Sequence, residues 1–158
     1  MIATLIALFA SLSIPVRAIP VSIDTLPKTL PEIVKRNAGV KKGQPALFVF
    51  VNPGDCSSCL LQECREIQST KSIKKNLKLV AAVKGERAID VGVFHRKTSW
   101  SESAILDSSL TLRKTMSLPS NTVVALYDES HVLVGYVQAR SSIDINWSKV
   151  ETLLQHLR

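Results

Sequence analysis

The feature that constrains this chain most is an uninterrupted apolar run, ALFVFV, at residues 46–51. The run has the length of a strand, and a strand without a polar side has to be covered on both faces. Pro53 and Gly54 end it, and from Ser57 to about Ser69 apolar side chains recur at helical spacing. The sequence therefore predicts a central, fully buried strand that leads directly into a helix.

The remaining elements extend this pattern into a small α/β domain. The apolar patterns predict a short helix over 31–36, strands over 77–83, 104–107, 122–127 and 131–137, and helices over 86–97, 108–116 and 145–157. A strand–helix–strand beginning requires a parallel pair with a right-handed crossover, and the turn at 128–130 predicts an antiparallel hairpin. With helices on both faces, the expected fold is a three-layer sandwich around a mixed sheet.

Two of these helices have candidate core faces. From their spacing along the chain, Ile89 and Val93 of the helix over 86–97 are expected to point inward, and Val91 is a further candidate. The helix that ends the chain is amphipathic, and its predicted inner face carries Val150, Leu153, Leu154 and Leu157.

The N-terminus has the pattern of an export signal. Residues 1–16 carry no charged side chain, and Val16 and Ala18 occupy the two small-residue positions that precede a cleavage site. The run is shorter than the ~20 apolar residues of a membrane-spanning helix, and Pro15 interrupts it. We therefore expect a signal peptide over 1–18, a lead-in over 19–45 and one domain over 46–158. A retained membrane anchor is the alternative.

The charge pattern argues against a nucleic-acid partner. The formal net charge of +7 becomes +6 when residues 1–18, with Arg17, are removed. Aromatic residues make up 5% of the chain, too few for a platform that stacks bases. The basic residues form no motif and are expected to be a solvated surface; they are Lys41, Lys42, Lys71, Lys74, Lys75, Lys78, Arg96, Lys97, Arg113 and Lys114.

Three cysteines, Cys56, Cys59 and Cys64, lie within nine residues where the first strand gives way to the helix. After export, a CxxC pair can form a disulfide. Free N–H groups and the helix dipole at a helix N-terminus favour a thiolate. This position suits Cys56 as the attacking sulfur and Cys59 as its resolving partner.

The third cysteine is expected to be structural. Cys64 follows Cys59 by five residues, about 140° around an ideal helix, so the two point to different faces. Cys64 instead shares a face with Leu60, Leu61 and Ile67, which predicts a buried, reduced and non-catalytic thiol.

Three stretches carry a resemblance to a known family: GQPALFVFVNPGDCSSCLLQECREI at 43–67, KLVAAV at 78–83, and AILDSSLTLRKTMSLPSNTVVALYDESHVLVGY at 104–136. They resemble the thioredoxin superfamily, and within it the exported, redoxin-like thiol–disulfide oxidoreductases of the TlpA/ResA type. The resemblance implies a thioredoxin-like α/β/α sandwich and an exported, periplasmic or extracellular enzyme with Cys56 as nucleophile and Cys59 as resolving cysteine. It implies no cofactor, and it implies protein thiols or disulfides as substrates together with a separate redox partner.

The chain departs from the family pattern next to the site. Gly54 and Asp55 stand where the family has an aromatic residue, and a carboxylate facing Cys56 would raise the pKa of that thiol. The family also has a cis-proline that faces its CxxC. The resemblance places this proline six residues before the Asp that ends the following strand, here Asp128. Thr122 stands at that position, and Pro119 lies three residues earlier. Pro119 and Thr122 are therefore the candidate substrate-facing loop.

Other interpretations of the cysteines remain open. Cys56 and Cys59 could form a static disulfide in a binding protein, or Cys59 could be the attacking thiol of a peroxiredoxin-like peroxidase. A zinc or iron–sulfur site would need a fourth ligand. The remaining candidates, His95, His131 and His156, have no ligand spacing and are expected to be ordinary surface residues.

Overall fold

The computed structural model of the chain describes residues 29–54, 57–73, 75–139 and 145–157. Five strands and five helices follow one another in these ranges. They are α1 (Glu32–Ala38), β1 (Ala46–Val51), α2 (Ser57–Ile73), β2 (Lys78–Gly85), α3 (Ala88–Thr98), β3 (Ser103–Ser108), α4 (Thr111–Thr115), β4 (Val123–Tyr127), β5 (Leu133–Gln138) and α5 (Trp147–Gln155).

The strands form one mixed sheet in the order β3-β2-β1-β4-β5. β1 pairs with β2, and β2 with β3, in parallel, whereas β4 is antiparallel to both β1 and β5. The predicted parallel beginning and the predicted terminal hairpin are both confirmed. All six side chains of β1 are buried, as its continuous apolar sequence requires.

The alternating side chains of the sheet build two separate cores. Leu47, Val49 and Val51 of β1 lie in a core shared with α2, α3 and α5. Ala46, Phe48 and Phe50 lie in a second core shared with α1 and the end of α4. Two successive right-handed crossovers in the same direction along the sheet put α2 and α3 on one face. The connection from β3 back to β4 runs across the other face and carries α4 there. The predicted three-layer sandwich is thus confirmed.

The helix after the cysteines is longer than predicted. α2 ends at Ile73, not near Ser69, because the hydroxyls of Ser69 and Thr70 donate back to the carbonyls of Glu66 and Ile67. Ser and Thr side chains often compete with the hydrogen bonds of a helix, but here both hydroxyls bond to carbonyls of the preceding turn, and the helix continues. Leu61 is only partly buried, whereas Leu60 and Ile67 face the core as expected.

The predicted start and inner face of α3 were wrong in part. The Asp90 carboxylate accepts hydrogen bonds from the backbone N–H groups of Glu86 and Arg87, both at 3.0 Å, so the helix begins only at Ala88. Ile89 is 58% exposed, and Phe94 is buried in its place. The ring of Phe94 packs beside Trp100, with 6.0 Å between centroids, and this aromatic contact sets the rotation of the helix.

The helix predicted over 108–116 is only five residues long. Ser109 and Leu110 have φ angles of 49° and 58°, which a right-handed helix does not accept. β3 instead continues to Ser108, one residue beyond its predicted end. α5 begins at Trp147, two residues after its predicted start, and buries Val150 and Leu154 as expected.

Part of the lead-in packs onto the sheet. α1 buries Val34 and Ala38 in the second core, and Thr29 pairs with Val132 at the start of β5. His131, expected at the surface, is 8% exposed, and its Nε2 lies 3.1 Å from the carbonyl oxygen of Lys41. That expectation was wrong because the turn between β4 and β5 folds against the lead-in.

Candidate functional site

The candidate site lies at the edge of the sheet where β1 ends and β4 begins. Phe50, the residue before the end of β1, pairs with Val123, the first residue of β4. After β1 the chain turns through Asn52, whose side-chain oxygen accepts a hydrogen bond from the N–H of Gly54 at 3.1 Å. This Asx-type turn directs the chain toward the start of α2.

The structure describes the backbone of one member of the predicted redox pair, Cys59. Cys59 is in the first turn of α2, which begins at Ser57. Cys56 and the predicted modulating residue Asp55 lie outside the described residues. The roles of these three residues remain predictions.

The structure brings Thr122 to this edge and leaves Pro119 farther back in the loop. Thr122 directly precedes β4, and its carbonyl accepts a hydrogen bond from the N–H of Ala139 at 2.9 Å, which extends the β4–β5 pairing by one residue. Thr122 is 4% exposed. Pro119 is half-buried, and among the described residues no peptide bond is cis.

A buried arginine ties the two strand ends together. Nη2 of Arg113 donates to the carbonyl of Val51, the last residue of β1, at 3.0 Å. Its Nη1 donates to the carbonyls of Ser120 and Asn121, at 2.6 and 3.0 Å, just before β4. One guanidinium therefore fixes the spacing between the exit of β1 and the loop that leads to Thr122.

The charge of this arginine is balanced by a buried carboxylate. Nε of Arg113 lies 2.9 Å from Oδ2 of Asp107, and the two side chains are 1% and 0% exposed. Oδ1 of Asp107 accepts a hydrogen bond from the N–H of Leu112 at 2.8 Å. The guanidinium carbon also lies 5.5 Å from the ring centroid of Phe50.

The sequence did not identify this pair. Arg113 was expected among the solvated basic residues, and the structure corrects that expectation: its side chain is 1% exposed, and Nε, Nη1 and Nη2 each donate to an acceptor within the protein. In the sequence, Asp107 is only the end of a predicted strand. The sequence signal that was missed is an acid and a base six residues apart that flank a turn.

A cleft of about 310 Å³ opens beside the β1 exit. One wall is formed by 52–54 and the other by Lys84, Gly85, Glu86, Asp90 and Val93. A Cβ at Gly85 would lie 2.7 Å from the Cβ of Asp90, so glycine is required where β2 meets α3. The Glu86 carboxylate accepts hydrogen bonds from the hydroxyls of Ser108 and Ser109 at 3.2 and 3.4 Å, which holds the end of β3 at the cleft.

The predictions for Cys64 are confirmed in their structural part. Cys64 is a free thiol, 1% exposed, in the core beneath α2. Burial raises the pKa of this thiol to about 12, against a partial opposing effect from a hydrogen bond with Thr98. Cys64 is therefore protonated and shielded at neutral pH.

In the ranges that the structure describes, no three His, Cys, Asp or Glu side chains are arranged to hold a metal ion. No helix within those ranges combines the length and the apolar character needed to cross a bilayer.

Comparisons with known proteins identify the fold. No protein-family model matches the sequence, and no curated protein sequence matches it. Among solved structures, a secreted Mycobacterium tuberculosis disulfide oxidoreductase homologous to Escherichia coli DsbE superposes with a TM-score of 0.58 at 13% identity, covering 73% of this chain and 84% of that one. The fold is thioredoxin-like.

Two further structures share this thioredoxin-like fold. StoA from Bacillus subtilis has a TM-score of 0.55 at 16% identity over 73% of this chain and 85% of its own. The thioredoxin domain of a thiol–disulfide oxidoreductase from Bacteroides vulgatus has a TM-score of 0.54 at 15% identity over 70% and 79%. The resemblance inferred from the sequence is therefore confirmed at the level of the fold.

Proposed function

We propose that this protein is an exported thiol–disulfide oxidoreductase that exchanges disulfides with protein substrates through Cys56 and Cys59. The observation that supports this most is the position of Cys59 in the first turn of α2, immediately after the central strand of a thioredoxin-like sheet. The N–H groups of a first helical turn have no partners within the helix and stabilise a neighbouring thiolate.

In the proposed reaction, the Cys56 thiolate attacks one sulfur of a substrate disulfide. The other substrate sulfur leaves as a thiolate and takes up a proton, and a mixed disulfide joins Cys56 to the substrate. The Cys59 thiolate then attacks Cys56, which forms the Cys56–Cys59 bond and releases the second substrate thiol. Two electrons pass from the pair to the substrate, and the reverse sequence oxidises a substrate dithiol.

The surroundings described above suit a macromolecular substrate. The cleft beside the β1 exit is open to solvent and is bordered by Lys84, Glu86 and Asp90. An extended peptide that carries a cysteine could lie along such a cleft with its sulfur near the start of α2. The fixed spacing between Val51 and the loop at 120–121 keeps this edge of the sheet in one geometry.

A mixed-disulfide trap tests the proposal directly. In the variant Cys59→Ser the second attack cannot occur, so a substrate protein or a disulfide-bonded peptide should stay attached to Cys56 and be released by dithiothreitol. Cys56→Ser is the matched variant that should trap nothing. Cys64→Ala should exchange disulfides like the unmodified protein, because Cys64 is buried beneath α2.

The outcomes separate the rival functions. A Cys56–Cys59 reduction potential below about −300 mV, together with no trapped species, would identify a static structural disulfide and overturn the proposal. Rapid consumption of hydrogen peroxide with Cys59 as the first thiol oxidised would identify a peroxidase instead. Trapping on Cys56 with exchange at catalytic rates supports the oxidoreductase.

A further inference from the structure

The Arg113 guanidinium lies between the end of β1 and the segment before β4. The paired residues of these two strands end with Phe50 and Val123. The same register would next pair Val51 with Thr122, and at this position the Arg113 guanidinium bridges the two segments. The ladder between β1 and β4 therefore ends where the guanidinium begins, at the edge of the sheet that leads to α2.

Three backbone carbonyls converge on this one group. Nη2 of Arg113 donates to the carbonyl of Val51 at 3.0 Å. Its Nη1 donates to the carbonyls of Ser120 and Asn121 at 2.6 and 3.0 Å. We call these three contacts the Arg113 bridge. Carbonyl oxygens only accept hydrogen bonds, so none of the three can satisfy another, and a donor has to lie between them.

The position of the guanidinium is itself fixed from the side of β3. Nε of Arg113 lies 2.9 Å from Oδ2 of Asp107, and the two side chains are 1% and 0% exposed. The ring centroid of Phe50 lies 5.5 Å from the guanidinium carbon. A planar fork with a partner in each direction has little freedom to move. The loop at 120–121 is therefore held at one distance from β1 by contacts that reach back to β3.

The loop that the Arg113 bridge holds has an exposed outer side. Ser120 and Asn121 are exposed, although their carbonyls turn inward to the guanidinium. The loop lies beside the end of β1, and from there the chain passes through 52–54 to α2 and Cys59. A polypeptide that brings a disulfide to the start of α2 is wide enough to cover this loop as well, whereas a disulfide of a few atoms is not.

We propose that Arg113 is a positioning residue for the exchange of disulfides with polypeptide substrates. By holding the loop at 120–121 at a fixed distance from the end of β1, it keeps the outer side of that loop in the geometry that seats a substrate chain against the site. This inference rests on the proposed function for the reaction and adds no chemical step to it. Arg113 acts through the backbone of Val51, Ser120 and Asn121.

Two variants remove the Arg113 bridge in different ways. Arg113→Lys keeps a positive charge beside Asp107, but its single nitrogen cannot reproduce the fork that reaches all three carbonyls. Arg113→Met combined with Asp107→Asn removes both charges, so no buried ion is left alone. If one of the two does not fold, the other still tests the inference. Lys114→Met, at the exposed neighbouring residue, is the matched control.

The experiment compares two second-order rate constants of the reduced protein, one with insulin and one with hydroxyethyl disulfide. We expect the constant with insulin to fall about tenfold in both variants, since a displacement of about 1 Å at a positioning contact can lower a rate by up to about a hundredfold. The constant with hydroxyethyl disulfide should change by less than about twofold, because this small probe does not need the loop. A loss of folded protein would lower both constants by the same factor, so their ratio separates positioning from stability.

Two results would overturn the inference in a protein that exchanges disulfides. One is an unchanged ratio of the two rate constants in the variants that lack the Arg113 bridge, and the other is an equal change of this ratio in Lys114→Met. The proposed function would survive either result, because the unmodified protein would still react with both disulfides. An unmodified protein that reacts with neither disulfide would refute the proposed function and, with it, any role of Arg113 in exchange.

Discussion

Buried polar atoms differ in how the fold satisfies them. Arg113 and Asp107 satisfy one another and the surrounding carbonyls, Cys64 stays neutral, and the Tyr127 hydroxyl is fully buried with no hydrogen-bond partner within the described ranges. Each condition has a different consequence for stability, because an ion pair, a protonated thiol and an orphaned hydroxyl respond differently to substitution and to pH.

Cys64 should make stability depend on alkaline pH. Its pKa is about 12 in the folded protein and near its ordinary value of 9.0 when unfolded. A raised pKa means that the folded state holds the proton more tightly, so this stabilisation is complete below pH 9 and is lost as the pH rises toward 12. Urea unfolding across this range should show a free energy of unfolding that falls with pH.

The variant Cys64→Ala isolates this effect. It should cost about 1 kcal/mol at pH 7, from lost packing, and its deficit should shrink or reverse above pH 9. A deficit that stays constant across the alkaline range would contradict the assigned burial of the thiol.

Tyr127→Phe should stabilise the protein. The ring packs against Phe48, with 5.8 Å between centroids, and phenylalanine keeps this contact while it removes a buried hydroxyl that has no partner in the described part of the chain. We expect the free energy of unfolding to rise by about 1 kcal/mol. Tyr136→Phe, at a half-buried tyrosine on β5, is the matched control and should be nearly neutral. A loss of stability in Tyr127→Phe would reveal a partner for the hydroxyl.

At the scale of elements, the connection from β3 through α4 to β4 determines how the site edge is built. It begins with two residues of positive φ, Ser109 and Leu110, and is held by the hydrogen bond from the Leu112 N–H to Asp107. Arg113 then links this connection to β1. Removing one partner of a buried ion pair leaves the other charge buried and uncompensated, which typically costs about 3–5 kcal/mol.

A double-mutant cycle tests this linkage. Arg113→Met should destabilise by at least about 3 kcal/mol, and Asp107→Asn by a similar amount, whereas the double variant should lose clearly less than the sum of both. Lys114→Met, at the exposed neighbouring residue, is the control and should change stability by no more than about 0.5 kcal/mol. Additive losses in the cycle would mean that the two side chains act independently.

At the scale of the whole molecule, the thioredoxin-like domain and the N-terminus belong to one hypothesis of an exported protein. The mature chain is predicted to begin at Ile19, because Val16 and Ala18 occupy the small-residue positions that a signal peptidase reads. Expression with an export pathway, followed by N-terminal sequencing of the released protein, should give Ile19 as the first residue. Material that still begins at Met1 and sediments with membranes would instead favour the retained anchor.

The sequence by itself determined the central strand, the element order and the burial of Cys64. These follow from short-range patterns: a continuous apolar run indicates a strand covered on both faces, and Cys64 shares a helical face with Leu60 and Ile67. The position of Cys59 at the start of a helix is local in the same sense, since Pro53 and Gly54 end the strand a few residues before it.

Only the tertiary structure decided the rest of the site. Val51 and Arg113 are 62 residues apart, and no local pattern predicts that a basic residue will reach that carbonyl. The rotation of α3, which buries Phe94 and exposes Ile89, was likewise decided by packing against Trp100. The hydrogen bond from the Ala139 N–H to the Thr122 carbonyl, which extends the β4–β5 pairing to Thr122, is another contact between separate segments. Contacts between distant segments form only after the chain has closed upon itself, and a single sequence carries no periodic signal for them.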